Sequence, residues 1–168
     1  MTIRDLVPED APALAAIYNA AVEKRLATFD EQPTPLEDIA ADLRADLTTH
    51  PGVAVVQDGR LIGYAVASAH SSYPPYRNIA EFSVYVAEDA RGRGVGRRAL
   101  DELILRCEQR GFTKLLSRIL AENHASRGLC AAAGFREVGT YERHAKLDDV
   151  WRDVVIVERL LGASTEAT

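Results

Sequence analysis

The chain has 168 residues, enough for one domain burying about two-thirds of its unfolded surface. With 47% hydrophobic and 27% charged residues and a net charge of -5, it has the make-up of a soluble globular protein and lacks the basic footprint of a nucleic-acid binder. Its two cysteines, Cys107 and Cys130, have no metal-ligand or disulfide spacing, and no apolar run has the length of a membrane span or signal peptide, so a reducing cytoplasm is expected.

Thr2 to Leu6 reads as a first strand, and Pro8, Glu9 and Asp10 open a helix through Leu14, Ile17 and Tyr18. A second helix follows Pro35, with Leu36, Ile39, Ala40, Leu43 and Leu47 at helical spacing. The period then changes. Val53 to Val56 is β-branched, Asp58-Gly59 is a hairpin turn, and Leu61 to Ala67 is the partner strand. Ile79 to Val86 is a further strand. Val95, Ala99, Leu100, Leu103, Ile104 and Cys107 mark one face of a helix that Gly111 ends. Lys114 to Leu120 is a strand and His124 to Ala133 a helix closed by Gly134. Two last strands lie near Phe135 to Tyr141 and Val154 to Leu160. The order β-α-α-β-β-β-α-β-α-β-β predicts a mixed α/β layer and not a doubly wound sheet. One domain is expected over residues 1–161, with a frayed tail over residues 162–168.

Between the strand ending at Val86 and the helix opening at Val95 runs Arg91-Gly92-Arg93-Gly94-Val95-Gly96, followed by Arg97 and Arg98. Glycine lets a phosphate approach the backbone amides closely, and the helix behind adds free N–H groups and a positive dipole end. Four arginines around three glycines make a local anion site. The Gly-Lys-Ser/Thr of a Walker A loop is absent, and Arg97 stands where a dinucleotide fingerprint needs glycine. Alone, the loop reads equally as a tight structural turn.

Arg91-x-x-Gly94-x-Gly96 resembles the Gln/Arg-x-x-Gly-x-Gly/Ala signature of the GNAT family of N-acetyltransferases, and the element order resembles that family's over nearly the whole chain. The resemblance implies that the loop amides, from Arg91 through Gly92, Arg93, Gly94, Val95 and Gly96 to Arg97, hold the pyrophosphate of acetyl-CoA. It implies that the backbone of Val84, Tyr85 and Val86 aligns the pantetheine arm and thioester, and that Asn123 bonds the pantetheine; Asn123 also reads as a helix N-cap. Ile17-Tyr18-Asn19, Ala27-Thr28-Phe29-Asp30 and Ala80-Glu81-Phe82-Ser83-Val84-Tyr85-Val86 are similar to the phosphinothricin N-acetyltransferase branch. So are Glu122-Asn123-His124-Ala125-Ser126, Gly134-Phe135-Arg136-Glu137-Val138-Gly139 and Trp151-Arg152-Asp153-Val154-Val155. Lys114 to Ile119 and Tyr141 to Leu147 resemble arsinothricin-resistance enzymes.

That branch implies acetylation of the α-amino group of a glutamate-analogue amino acid, a homodimer and no metal. Direct acyl transfer needs a base for the ammonium, and Glu81 aligns with the branch's general base. The carbonyl is expected to meet a main-chain N–H of the Val84–Val86 strand. Phe29, Tyr76, Arg77, Tyr85 and Arg118 are expected to border the acceptor pocket, the arginines reading equally as surface charges. Cys130 departs from the family, which carries tyrosine, or in phosphinothricin enzymes often histidine, at that place; the general acid stays open among Cys130, Tyr141, His144 and water. His50, His70 and Cys107 read as structural or solvent-facing, and Trp151 as packing, a dimer contact or a pocket wall. Methionine sulfoximine, other small amino acids or amines, a protein N-terminus and a non-catalytic acetyl-CoA sensor are the competing readings.

Overall fold

The computed structural model describes residues 1–162, and its β-branched segments form the strands β1 (Thr2–Asp5), β2 (Gly52–Gln57), β3 (Arg60–Ala69), β4 (Ile79–Val86), β5 (Lys114–Leu120), β6 (Arg136–Leu147) and β7 (Val150–Leu160). They make one sheet in the order β1-β2-β3-β4-β5-β7-β6, parallel only between β4 and β5. Among the described residues four α-helices complete it: α1 (Ala11–Lys24), α2 (Leu36–Leu47), α3 (Val95–Gln109) and α4 (His124–Ala132). This is the expected mixed sheet and the expected element order. Apart from Gly162, the expected tail lies outside the described residues.

The apolar stripe of α3 is buried at each expected position, from Val95 to Cys107. α3 lies close to β3 because Gly63 has no side chain: a Cβ there would come within 2.6 Å of Val95 Cγ1. The next β3 residue, Tyr64, points to the other face, where Leu14 of α1 and Leu43 of α2 approach it. Helices thus cover both faces of the sheet.

β4 and β5 pair only at Ile79↔Lys114, Ala80↔Leu115 and Glu81↔Leu116. Ser117 Oγ donates a last hydrogen bond to the Phe82 carbonyl at 3.0 Å. Beyond it, Ser83 to Val86 stay paired with β3, and Ser117 to Leu120 with β7. The two strands therefore part as a wedge.

The final hairpin is longer than the sequence predicts. β6 continues to Leu147 and β7 begins at Val150, joined by Asp148 and Asp149 at φ 48° and 64°. Two left-handed residues make the turn that matches the twist of a hairpin. Residues 142–147 are too polar to show strand alternation, and the register slips between Tyr141 and Ala145, where Arg143 adopts φ 47°. The Arg143 amide donates to Asp153 Oδ1 at 2.7 Å, which fixes the bulge. The turn reaches back to the α1–α2 loop. Arg25 Nε meets Asp148 Oδ2 at 2.6 Å, and the Asp148 amide donates to Glu31 Oε1 at 2.6 Å.

Candidate active site

A groove of about 540 Å³ runs from the glycine loop to the open end of the wedge. Gly92 and Gly94 sit at φ 73° and 79°, and Gly94 is the N-cap of α3. The first-turn amides of Val95, Gly96 and Arg97 have no carbonyl beneath them in the helix, so they are available to an anion. Gly96 lets α3 and α4 close up: a Cβ there would lie 3.4 Å from Leu129 Cδ2. Arg91 and Arg97 stand on the groove wall, Arg97 tied at 2.9 Å to Asp101. Arg93 does not line it; its guanidinium donates to Gln57 Oε1 at 3.1 Å beside a neighbouring hollow. Val84, Tyr85, Val86 and Asn123 continue the groove along β4 and the start of α4. Asn123 is 9% exposed, and its Oδ1 accepts the Ser126 amide at 3.2 Å, so it caps α4 while facing the groove. These are free amides, a positive helix end, open glycines and an unpaired strand edge, the donor set that a pyrophosphate with an amide-bearing arm requires.

Beyond Val84 and Tyr85 the groove meets a second cavity of about 340 Å³. The two share Ala27, Val84, Tyr85, Asn123, Ser126 and Leu129. Glu81 lies on this cavity's wall, at the last β4–β5 rung. Its side chain is 23% exposed, with one oxygen 3.2 Å from His70 Nδ1 and the other 3.6 Å from Arg118. The Glu81 carboxylate thus stands between the His70 imidazole and the Arg118 guanidinium, partly exposed to the cavity. Phe29, Tyr85 and Arg118 also line the cavity. The Tyr85 hydroxyl donates to the Ala27 carbonyl at 3.2 Å, and burial, ahead of the Asp30 charge that adds to it, pushes its pKa up to about 12. Tyr18 donates to Asp30 and lies 2.8 Å from Thr28 Oγ1, holding the Ala27–Asp30 segment over the site.

Other expected residues stand further off. Tyr76 and Arg77 are outside the cavity wall; Tyr76 packs edge-on against His70 at 6.0 Å, and Arg77 bonds the Pro74 carbonyl. Cys130 is on the wall but 2% exposed, and burial raises its thiol to about 12. Tyr141 and His144 stack on each other at 4.6 Å on β6, away from both cavities. His70, read from the sequence as structural or solvent-facing, is the partner that reasoning missed. Ser68 is opposite Glu81 in the β3–β4 register, so His70 lies two residues on, on the same face. Only that register reveals it. His50 and Cys107 are buried, His50 stacked on Phe112 at 5.0 Å, and Trp151 is exposed beneath Lys146.

Residues 14–135 match the acetyltransferase (GNAT) family. The chain is 37% identical over 164 residues to phosphinothricin N-acetyltransferase of Alcaligenes faecalis, covering 96% of this chain and 83% of that protein. It is 32% identical over 168 residues to the L-methionine sulfoximine/L-methionine sulfone acetyltransferase of Pseudomonas aeruginosa, covering 99% and 98%. The crystal structure of a GNAT superfamily phosphinothricin acetyltransferase from Sinorhizobium meliloti in complex with AcCoA superposes with a TM-score of 0.94 at 31% identity, covering 99% of this chain and 91% of that one. Groove, wedge and kinship agree, and the chain belongs to the GNAT acetyltransferase family, on the branch of the phosphinothricin N-acetyltransferases. It is an N-acetyltransferase whose cosubstrate is acetyl-CoA.

Proposed function

We propose that the protein acetylates the α-amino group of a small glutamate-analogue amino acid, of the phosphinothricin or arsinothricin type, and so detoxifies it. The observation that carries this reading is the meeting of the two cavities at Val84 and Tyr85, with Glu81 on the acceptor side. The names of the similar proteins, which act on phosphinothricin and on methionine sulfoximine, support an amino-acid acceptor. Acetyl-CoA supplies an acetyl thioester at that meeting point. Glu81 takes a proton from the acceptor ammonium, and the neutral amine becomes the nucleophile. A main-chain N–H of Val84–Val86, free of β5, donates to the carbonyl oxygen as charge builds there. Arg118 offers its guanidinium to an acidic group of the acceptor. With Cys130 raised by burial and Tyr141 and His144 remote, water is the proton source best supported for the departing thiolate.

The enzyme works as a cytoplasmic homodimer in this reading. Val138, Tyr141, Val150 and Trp151, all exposed on β6 and β7, give the edge hairpin apolar surface on both sides, which suits a second copy. A thiol-release assay with phosphinothricin, arsinothricin and methionine sulfoximine tests the reading. CoA release is expected to be fastest with one of the first two. Faster release with methionine sulfoximine would shift the substrate to that amino acid, and no release with any of the three despite acetyl-CoA binding would leave a sensor.

A further inference from the structure

The acceptor ammonium carries several hydrogens, and the base takes only one of them. As the neutral amine then bonds to the thioester carbon, its nitrogen becomes positive, and its remaining N–H groups need an acceptor. That acceptor has to stand between Glu81 and the strand amides that meet the thioester.

Ser117 stands there. The last backbone rung between β4 and β5 is Glu81↔Leu116, and the next contact is made by a side chain, where Ser117 Oγ donates to the Phe82 carbonyl at 3.0 Å. Phe82 is one residue, about 3.3 Å of strand, beyond Glu81 and two, about 7 Å, short of Val84. Ser117 and its neighbour Arg118 both line the acceptor cavity, although strand neighbours point to opposite faces. The parting of β4 from β5 opens the cavity floor through the sheet at this point, and the half-buried Ser117 forms that floor.

The direction of the bond decides what this hydroxyl can offer. A serine hydroxyl has one proton and two lone pairs, and a carbonyl can only accept. The Ser117 proton is therefore committed to Phe82, and only lone pairs remain for the cavity. The other acceptors nearby are occupied. Asp30 holds Tyr18, Glu81 stands between His70 and Arg118, and Thr28 Oγ1 is shared between Tyr18 and the Asp30 amide. Ser68 and Ser83 also line the cavity, but no hydrogen bond among the described residues fixes their protons.

We propose that Ser117 is a further catalytic residue, in contact with the reacting nitrogen: its Oγ accepts an N–H of the acceptor's amino group and turns the nitrogen lone pair toward the thioester carbon. This inference rests on the proposed role of Glu81 as the base. Glu81 removes one proton from the ammonium, and the amine's electron pair forms the C–N bond while the carbonyl π pair moves onto oxygen. When that pair returns, the C–S bond breaks and the CoA thiolate leaves with its electrons. Nitrogen gives up a second proton to water, water delivers one to sulfur, and the amide keeps the last hydrogen. Ser117 retains its own proton on Phe82 throughout. Its contact strengthens as charge grows on nitrogen, so its effect falls on kcat more than on KM.

Thiol release and calorimetry on Ser117→Ala and Ser117→Thr, with phosphinothricin, arsinothricin and methionine sulfoximine as acceptors, test this. In Ser117→Ala, kcat with the fastest acceptor is expected to fall about tenfold, while the acceptor KM moves less than about threefold and the acetyl-CoA Kd less than about twofold. Ser117→Thr keeps the hydroxyl and is expected to recover most of the rate. An unchanged kcat in Ser117→Ala would overturn the proposal, as would equal losses in the two variants. A loss of kcat matched by an equal weakening of acetyl-CoA would also overturn it, because the hydroxyl would then only pin the strands together. No release by the wild type with any acceptor would end this inference and the proposed function together, whereas wild-type turnover that Ser117→Ala preserves ends this inference alone.

Discussion

The cofactor groove and the acceptor cavity share Val84 and Tyr85 but are made in different ways. The groove's anion end is one continuous segment, Arg91 to Arg97, in which neighbours in sequence are neighbours in space. The acceptor cavity draws Tyr18 from α1, Phe29 from a loop, Glu81 from β4, Arg118 from β5 and Cys130 from α4. A phosphate is held by backbone amides in a local turn, so its site leaves a sequence signature. A small zwitterion is held by side chains converging from several elements, and its site exists only once the sheet has formed. The two regions should therefore fail separately.

Glu81→Gln keeps the side chain's size and removes the carboxylate proposed as the base. Turnover is expected to fall about 10²–10⁴-fold, with the acetyl-CoA dissociation constant within about twofold, as read by thiol release and by calorimetry. Equal changes in both would make the two regions one. Gly94→Val is the converse test. Its φ of 79° is costly for a residue with a Cβ, by about 1–2 kcal/mol, so acetyl-CoA is expected to bind about tenfold more weakly. The acceptor KM at saturating acetyl-CoA is expected to stay unchanged. His70→Ala removes the 3.2 Å contact to Glu81 and is expected to lower kcat about three- to tenfold. His70→Gln, which retains a donor, is expected to recover most of the rate; equal loss in both variants would make the contact irrelevant to Glu81.

The smallest effect concerns stability and should touch neither region. Burial, followed by the Arg110 charge, holds His50 below its ordinary 6.5. As pH falls the unfolded chain takes up this proton before the folded one does. The contribution is intact above 6.5 and is lost on acidification. His50→Gln is expected to make the thermal midpoint fall less steeply between about pH 7 and pH 5, with kcat unchanged.

The fold was legible because each element announces its period. The α3 stripe from Val95 to Cys107 and the β-branched runs of β2 and β4 needed no tertiary information. The hairpin after Tyr141 was not legible, since its charged residues serve a turn that clasps another loop. Within the site, the glycine loop could be read from sequence, whereas His70 needed the β3–β4 register and Arg93 needed the course of the loop toward Gln57. Tyr76 lies near the site only through His70, which adjacency in sequence does not reveal.

In mechanical terms the sheet is two plates on a short hinge. β1 to β4 form one plate and β5 to β7 the other, joined from Ile79 to Glu81. The far side is latched where Asp148 meets Arg25 and Glu31. The hinge rungs lie within the sheet, whereas the latch is exposed, and exposed ion pairs contribute little, about 0–1 kcal/mol. The latch is therefore the weaker of the two joints, and breaking the Arg25–Asp148 pair is expected to loosen the β6–β7 turn while the hinge rungs hold.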